Sequence, residues 1–153
     1  MVRLADVPEP ERSNIANLDC PTYAHTPFTT APSVDQRHVT LVSTAGFIVR
    51  GERPTLPSDA GYRTIASSVG DGDILCSHVS VDFDRTGFQQ DLNCVLPRDR
   101  LHEFVHGGLI AAVAENHYSF MGATEPAKME PHARRLAQSL GRQGVDTALL
   151  LPV

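Results

Sequence analysis

The sequence predicts an α/β fold built on a parallel sheet. Two apolar runs, 37–44 and 145–151, are typical of strands that a protein core covers. The second run comes directly after an amphipathic segment that ends at Gly144, and this alternation of helix and strand is typical of parallel sheets. We therefore expect a doubly wound, flavodoxin-like sheet that is incomplete in this chain.

The composition is that of one globular domain. The chain has 153 residues, of which 41% are hydrophobic and 20% are charged, and this is enough for a single core. The net charge of −5 and the lack of a basic block argue against a nucleic-acid partner. We find no apolar run long enough to cross a membrane and no apolar leader, so we expect a cytoplasmic protein without a membrane partner.

The start of the chain differs from the rest. Residues 1–37 are rich in proline, threonine, serine and asparagine and show no periodicity. We therefore expect an irregular arm at 1–37, followed by an α/β domain at 38–153. An arm of this kind suits a contact between subunits, and we expect an oligomer.

The first half of the domain is predicted to hold two strand regions. The strand at 37–44 is followed by Gly46, which permits a tight turn. Proline and glycine within 49–65 make a continuous helix improbable and favour a loop. The apolar stretch within 74–81 is the second strand region.

The second half is predicted to hold two helices and a strand. Apolar residues at helical spacing predict a helix over 98–116, whose centre is weakened by the glycines at 107–108. A second helix is expected over 130–144, with Pro131 in its first turn. The apolar run at 145–151 predicts a central strand, because such a run needs cover on both faces.

A polar stretch at 78–93 contains several groups that do chemistry, among them His78, Asp82, Asp84 and Arg85. If this stretch is extended, Asp82 and Asp84 face the same side and could hold Arg85, bind a cation or share a proton. The alternative is a turn that Asp84 caps, with a solvated ion pair. Spacing does not decide between the two.

A second polar stretch, ENHYSFMG at 115–122, is predicted to be a loop after the long helix. His117, Tyr118 and Ser119 offer a base, a phenol and a hydroxyl. The alternative for His117 is a charge partner for a helix end. The sequence has no G-x-S-x-G elbow, H-E-x-x-H pair or P-loop, so these residues alone indicate only an α/β domain with two polar loops.

The cysteines indicate neither a disulfide framework nor a metal site. Cys20, Cys76 and Cys94 are odd in number, irregularly spaced and without a C-x-x-C pair. Free cysteines are often buried, and this interpretation is favoured for Cys76 and Cys94.

Three stretches of the sequence resemble a known family. STAG at 43–46, HVSVDFDRTGFQQDLNCVLPRDRL at 78–101 and HYSFMG at 117–122 are similar to the selenoprotein B family of glycine, sarcosine, betaine and D-proline reductases. The resemblance is greatest to the D-proline reductase type and covers residues 37–153. The second and third stretches are specific together, whereas STAG alone is not.

The resemblance implies a reductase subunit that carries a nucleophile. In this family the final apolar strand leads into a selenocysteine or cysteine, whose anion attacks the α-carbon of a small amino acid or amine and cleaves a C–N bond. The amine is activated by a pyruvoyl group on a partner subunit or is otherwise held by the complex, and this chain is expected to bind no cofactor itself. No residue follows Val153, so we expect the N-terminal part of a longer reductase, ended at a recoded stop codon and inactive alone.

The resemblance also implies roles for particular residues, and no metal site. The expected catalytic residues are His78, Asp84 and His117, and the expected substrate-binding residues are Ser43, Thr44, Gly46, Asp82, Arg85, Tyr118 and Ser119. Two alternatives stay open. One is a thiol-dependent enzyme on the same scaffold without a pyruvoyl partner. The other is a non-catalytic binding or assembly module, in which the chain is naturally short.

Overall fold

The computed structural model describes residues 3–19, 21–24, 29–81 and 83–153. The strands are β1 (His38–Ser43), β2 (Phe47–Val49), β3 (Tyr62–Ala66), β4 (Ile74–Cys76), β5 (Ala112–Val113), β6 (Asn116–Phe120) and β7 (Thr147–Leu151). The α-helices are α1 (Glu11–Ala16), α2 (Thr86–Gln90), α3 (Arg98–His106) and α4 (Pro126–Arg142). Short 3-10 turns lie at Leu4–Asp6, Val34–Gln36, Asp71–Asp73 and Leu92–Cys94.

The main sheet is built around β1. β7 pairs with β1 in parallel along one edge, whereas β5 and β6 pair with it in parallel along the other. β3 then pairs antiparallel to β6, and β2 and β4 form a separate antiparallel pair. The predicted α/β fold with a mostly parallel sheet is thus confirmed.

Each face of the sheet has its own apolar core. One core joins Tyr118 and Phe120 of β6 to Leu136 and Leu140 of α4. The other lies on the opposite side, where Leu41, Phe47, Ile65, Leu96 and Leu101 are buried together. Because α4 covers one face and α3 lies at the other, the sheet is doubly wound.

The long helix predicted over 98–116 is wrong in its second half. α3 ends at His106 because Gly108 has a φ of +70°, a left-handed conformation that glycine adopts freely. The amide of Leu109 donates to Phe104 O and that of Gly108 to Val105 O, which is the Schellman pattern of a helix stop. The glycines therefore end the helix rather than weaken its centre.

The second helix begins earlier than predicted and ends where expected. α4 starts at Pro126, which occupies the first turn in place of Pro131; Pro131 lies inside the helix. Its end is a second Schellman pattern, in which Gly144 has a φ of +72° and the amide of Val145 donates to Leu140 O. Val145 and Leu140 are both buried in the α4 core.

Two segments predicted to be loops are strands. The HYSF segment belongs to β6, whose four residues from His117 to Phe120 are all buried, and the end of the predicted loop at 49–65 forms β3. The polar residues of β6 are tolerated in the core because backbone groups of neighbouring segments bond to them.

The final strand lies at an edge of the sheet. Among the described residues β7 pairs with β1 alone, and Leu149 and Leu150 are 42% and 67% exposed. The expectation of a central strand is therefore wrong for the described chain: an apolar run forms the strand, but only one of its edges is hydrogen-bonded.

The described part of the arm lies outside both cores. It contains α1 and two 3-10 turns, and none of their residues is buried. Among the helices within the described ranges, none is both long and apolar enough to cross a membrane.

Candidate functional site

The carboxyl end of β1 meets two other segments at Gly46. The amide of Gly46 donates to Phe120 O over 2.9 Å, and its carbonyl accepts from Ser77 N over 3.0 Å. Gly46 has a φ of +66°, and a Cβ atom there would lie 2.6 Å from Met121 Cε and 3.1 Å from His78 Cα. Glycine is therefore required at this junction.

Ser43 and Ser119 lie side by side at the same edge. They are register partners of β1 and β6, and both are buried. Ser119 Oγ accepts a hydrogen bond from Phe47 N over 2.8 Å, and Ser43 Oγ accepts from Ala45 N over 3.2 Å. We call Ser43, Gly46, Ser119 and the backbone of His78 the carboxyl-edge cluster.

His117 lies in the sheet, two residues before Ser119. Its side chain is fully buried, its Nδ1 accepts from Leu41 N over 3.2 Å, and its Nε2 lies 3.4 Å from Ser67 Oγ. Burial, and then the charges of Arg98 and His102, lower the pKa of His117 to about 4. The ring is therefore neutral at pH 7 and replaces a carbonyl as acceptor in the β1–β6 ladder.

Tyr118 and Thr44 face the other side of the sheet. Tyr118 packs in the α4 core, where its ring lies edge-on to Tyr62 with 5.4 Å between centroids. Thr44 Oγ1 accepts from Val153 N over 2.8 Å and lines a cavity of about 660 Å³ beside α4, here called the α4 cavity. The structure thus divides the predicted substrate-binding residues between two faces.

The loop that follows β4 is held by Arg85. Its guanidinium donates to His78 O, Ser80 O and Phe83 O over 2.8, 3.1 and 3.2 Å. The rings of His78 and Phe83 are stacked with 4.7 Å between centroids. Arg85 therefore closes a compact turn with the imidazole inside it.

His78 is buried with one ring nitrogen unsatisfied. Its Nδ1 accepts from Ser80 N over 3.1 Å, and its Nε2 has no partner among the described residues. Burial, followed by the charge of Arg85, lowers the pKa of His78. Because Nδ1 is an acceptor, the neutral ring has its proton on Nε2.

Asp84 is exposed, and its carboxylate caps the start of α2. Its Oδ1 accepts from Thr86 N over 2.8 Å, and the bonds from Thr86 lower its pKa. The turn that Asp84 caps, one of the two alternatives for this stretch, is thus present. The ion pair expected with it is replaced by hydrogen bonds from Arg85 to backbone carbonyl groups. Asp82 lies outside the described residues.

A second cavity, of about 360 Å³, opens at the same edge of the sheet. β3 runs antiparallel to β6 with Tyr62 opposite Phe120, so the start of β3 lies beside the carboxyl end of β6. The lining includes charged and polar side chains from four segments, namely Arg53, Thr55, Asp59, Arg63, Ser119 and His132. We call it the arginine cavity. Of the predicted site residues that the structure describes, Ser119 alone lines it.

Two arginines share one carboxylate in the arginine cavity. Both Nη atoms of Arg53 donate to Asp59 over 2.9 Å, whereas Arg63 Nη2 lies 3.4 Å away from it. Hydrogen bonds from Arg53, and then from the Leu56 amide, hold the pKa of Asp59 below its usual value. Two guanidinium groups facing one carboxylate leave the cavity with an excess of positive charge.

The sequence contained a signal for this cavity that the prediction missed. Arg53, Asp59 and Arg63 alternate in sign within a segment rich in proline and glycine, where ion pairs can hold a loop in shape. That segment was predicted only as a loop with turns. In the described ranges, no three His, Cys, Asp or Glu side chains are grouped closely enough to hold a metal ion.

Comparison with known proteins identifies the family. The family model for glycine/sarcosine/betaine reductase selenoprotein B matches residues 22–152. The chain belongs to this family. The resemblance that STAG, the 78–101 stretch and HYSFMG predicted is thus confirmed for the selenoprotein B family.

The selenoprotein B match is supported by a named relative. The D-proline reductase subunit gamma of Acetoanaerobium sticklandii is 30% identical over 115 residues, which are 73% of this chain and 47% of the relative. The chain therefore spans about half the length of this relative. No solved structure shows significant similarity to the chain.

Proposed function

We propose that this chain is part of the nucleophile-bearing subunit of a reductase that cleaves a C–N bond of a small amino acid or amine. The observation that supports this is the family match over residues 22–152, which include the whole sheet, the arginine cavity and all of the α4 cavity lining except Val153. The name of this relative favours D-proline or a similar small amino acid as the substrate.

In this proposal the carboxyl edge of the sheet receives the substrate, as is usual in open α/β sheets. The carboxyl-edge cluster forms the rigid floor, and Arg85 keeps the neighbouring loop in shape. Burial lowers the pKa of His78, which favours the neutral ring, and its Nε2 has no partner among the described residues, so the Nε2–H group suits donation of a hydrogen bond to a ligand. The roles predicted for Asp84 and His117 stay predictions, as do those for Thr44, Asp82 and Tyr118.

The proposal assigns the nucleophile and the pyruvoyl group to other parts of the complete enzyme. A pyruvoyl group on a partner subunit would supply a carbonyl that activates the amine of the substrate. The one lysine of the sequence, Lys128, lies on α4 and pairs with Glu125. It is not among the residues that line the arginine cavity, so the described part of that lining offers no primary amine to compete for a carbonyl.

The cysteines provide a prediction about the nucleophile. Cys76 is half-buried with its Sγ 3.6 Å from Ala45 O, and Cys94 is exposed near the α2–α3 connection; Cys20 lies outside the described residues. We expect Cys76→Ser and Cys94→Ser to leave turnover by the complete enzyme unchanged. Abolished turnover in either variant, with the fold intact by circular dichroism, would show that the nucleophile lies in this chain.

The test of the function is an assay of the complete assembly. We would purify the tagged native protein with its associated subunits and incubate it with a dithiol and with glycine, sarcosine, betaine or D-proline. Nuclear magnetic resonance then shows whether the C–N bond of each is cleaved, with the dithiol as electron donor. We expect turnover of at least one compound by the assembly and none by the isolated chain.

Carbonyl reagents separate the proposal from its alternatives. Phenylhydrazine should abolish turnover if a pyruvoyl group takes part, whereas a thiol-dependent enzyme would resist it and lose activity to iodoacetamide alone. If the intact assembly cleaves none of the four compounds, the proposal is wrong and a binding or assembly role is favoured.

A further inference from the structure

We propose that the arginine cavity binds the carboxylate of a small amino acid and that Arg63 is the residue that binds it. The inference rests on the proposed function for the class of substrate, but it assigns a site and residues that the motifs did not indicate. Three observations support it: the position of Arg63, the unused N–H donors of its guanidinium, and the excess positive charge of the cavity.

Arg63 is placed at the functional edge of the sheet. It is the register partner of Ser119 across the β3–β6 ladder. Residues directly opposite each other in an antiparallel pair point to the same face, so Arg63 and Ser119 line one wall of the cavity. The cavity thus adjoins the carboxyl-edge cluster through a shared residue.

The guanidinium of Arg63 has donors to spare. Its side chain is only 25% exposed, yet its contact at 3.4 Å with Asp59 is its sole side-chain hydrogen bond within the described residues. A guanidinium carries five N–H donors in a planar fork that matches a carboxylate. A half-buried fork with so few partners in a cavity is suited to a bidentate anionic ligand.

Asp59 does not neutralise Arg63. Its carboxylate already accepts the bidentate pair from Arg53 and a bond from Leu56 N over 3.0 Å. The Asp59 carboxylate is therefore largely taken up by other donors, and the positive charge of Arg63 remains available to a ligand. The exposed Arg50, in contrast, has close partners for its guanidinium, because it donates to Asp73 over 2.9 Å and also to Gly72 O.

The walls of the cavity favour a small ligand. The volume of about 360 Å³ is at the low end for small-molecule sites. Gly61 lies in the wall, and a Cβ atom there would come within 3.3 Å of His132 Nδ1. Met121 and Ala60 in the lining supply apolar surface for carbon atoms of the ligand.

The α4 cavity is a poorer match for a carboxylate. Glu130 and Arg134 in its lining pair with each other over 2.6 Å, so no excess positive charge remains. The rest of its lining is dominated by apolar groups such as Met129, Ala137 and Val153. A charged carboxylate is therefore expected in the arginine cavity.

Calorimetric titration of the full 153-residue chain tests the inference without any need for turnover. The probes are glycine, betaine and D-proline, matched with methylamine, tetramethylammonium and pyrrolidine, which lack the carboxylate. The variants are Arg63→Gln, which removes the charge, and Arg63→Lys, which keeps it without the fork. Arg50→Gln is the matched control, because it removes an arginine outside the cavity.

We expect at least one amino-acid probe to bind the wild type and its matched amine not to bind. Arg63→Gln should weaken binding about tenfold or more, Arg63→Lys less, and Arg50→Gln not at all. Thermal unfolding of each variant shows whether the fold is retained.

Three outcomes would overturn the inference: no saturable binding to the wild type, equal binding by folded Arg63→Gln, or equal binding of inorganic phosphate, which would make the cavity a general anion site. If Arg63-dependent binding is found but the complete assembly cleaves no C–N bond, the site stands and the proposed function fails.

Discussion

Replacement of Gly46 by alanine is expected to destabilise the protein by about 2–5 kcal/mol. Part of this cost, about 1–2 kcal/mol, arises because alanine disfavours the φ of +66°. The rest arises because the new Cβ would lie 3.1 Å from His78 Cα, which is backbone and cannot move alone, as well as 2.6 Å from Met121 Cε. Chemical denaturation of the purified chain measures the change in the free energy of unfolding.

Gly51→Ala is the matched control for this experiment. Gly51 also has a positive φ, of +95°, but no atom lies within 4 Å of the position of its Cβ. We therefore expect only the conformational cost of about 1–2 kcal/mol. Equal losses in the two variants would show that β1, β6 and the His78 segment do not meet at Gly46 as described.

The stability of the protein is expected to fall as the pH is lowered from 6.5 to 4, and His117 to be a main cause. The pKa of this buried ring is about 4 in the folded state and about 6.5 in the unfolded chain. Between these values the unfolded chain binds more protons, so the free energy of unfolding decreases by about 1.4 kcal/mol per pH unit from this group. The stabilisation that the neutral His117 ring gives to the folded state is thus complete above pH 6.5 and lost by pH 4.

Two substitutions of His117 isolate this effect. His117→Asn keeps an acceptor for Leu41 N but does not titrate, so the variant should lose about 3 kcal/mol less than the wild type over this pH range. His117→Ala also loses the slope but leaves the Leu41 amide unsatisfied, so it should be less stable than His117→Asn at pH 7. Denaturant unfolding at several pH values measures both; a slope in His117→Asn equal to that of the wild type would contradict the account.

Parts of the fold could be predicted because single residues decide them. The left-handed conformation of Gly144 ends α4, and the apolar run in β1 forms a fully paired strand. The glycines at 107–108 gave an equally local signal, but the helical spacing of apolar residues on either side outweighed it in the prediction. At 107–108 the two glycines were therefore a better predictor of the helix end than the spacing of the apolar residues.

The strand β6 could not be predicted from local pattern. Its polar residues suggested a loop. The backbone amides that hydrogen-bond to these residues in the core belong to segments distant in the sequence. Leu41 N donates to His117 and Phe47 N donates to Ser119, from positions more than 70 residues away. Neither bond can be inferred from the HYSF segment itself.

The structure brings together only some of the residues that the motifs predicted to form the site. The motifs at Ser43, Gly46 and Ser119 indicated three residues that do meet at one edge. The alternation of faces within β6 then placed Tyr118 on the other side of the sheet. Arg63 carries no motif, and its position opposite Ser119 depends on the β3–β6 register.

The most direct test of the account is a titration of the isotope-labelled chain with glycine, sarcosine, betaine and D-proline, followed residue by residue by nuclear magnetic resonance. We predict saturable shifts in the amides of Gly61, Arg63 and Ser119 and in the side-chain Nε–H of Arg63, for at least one of the four compounds. Shifts confined to Gly122 and Val153 in the α4 cavity, or no saturable shift with any compound, would contradict it.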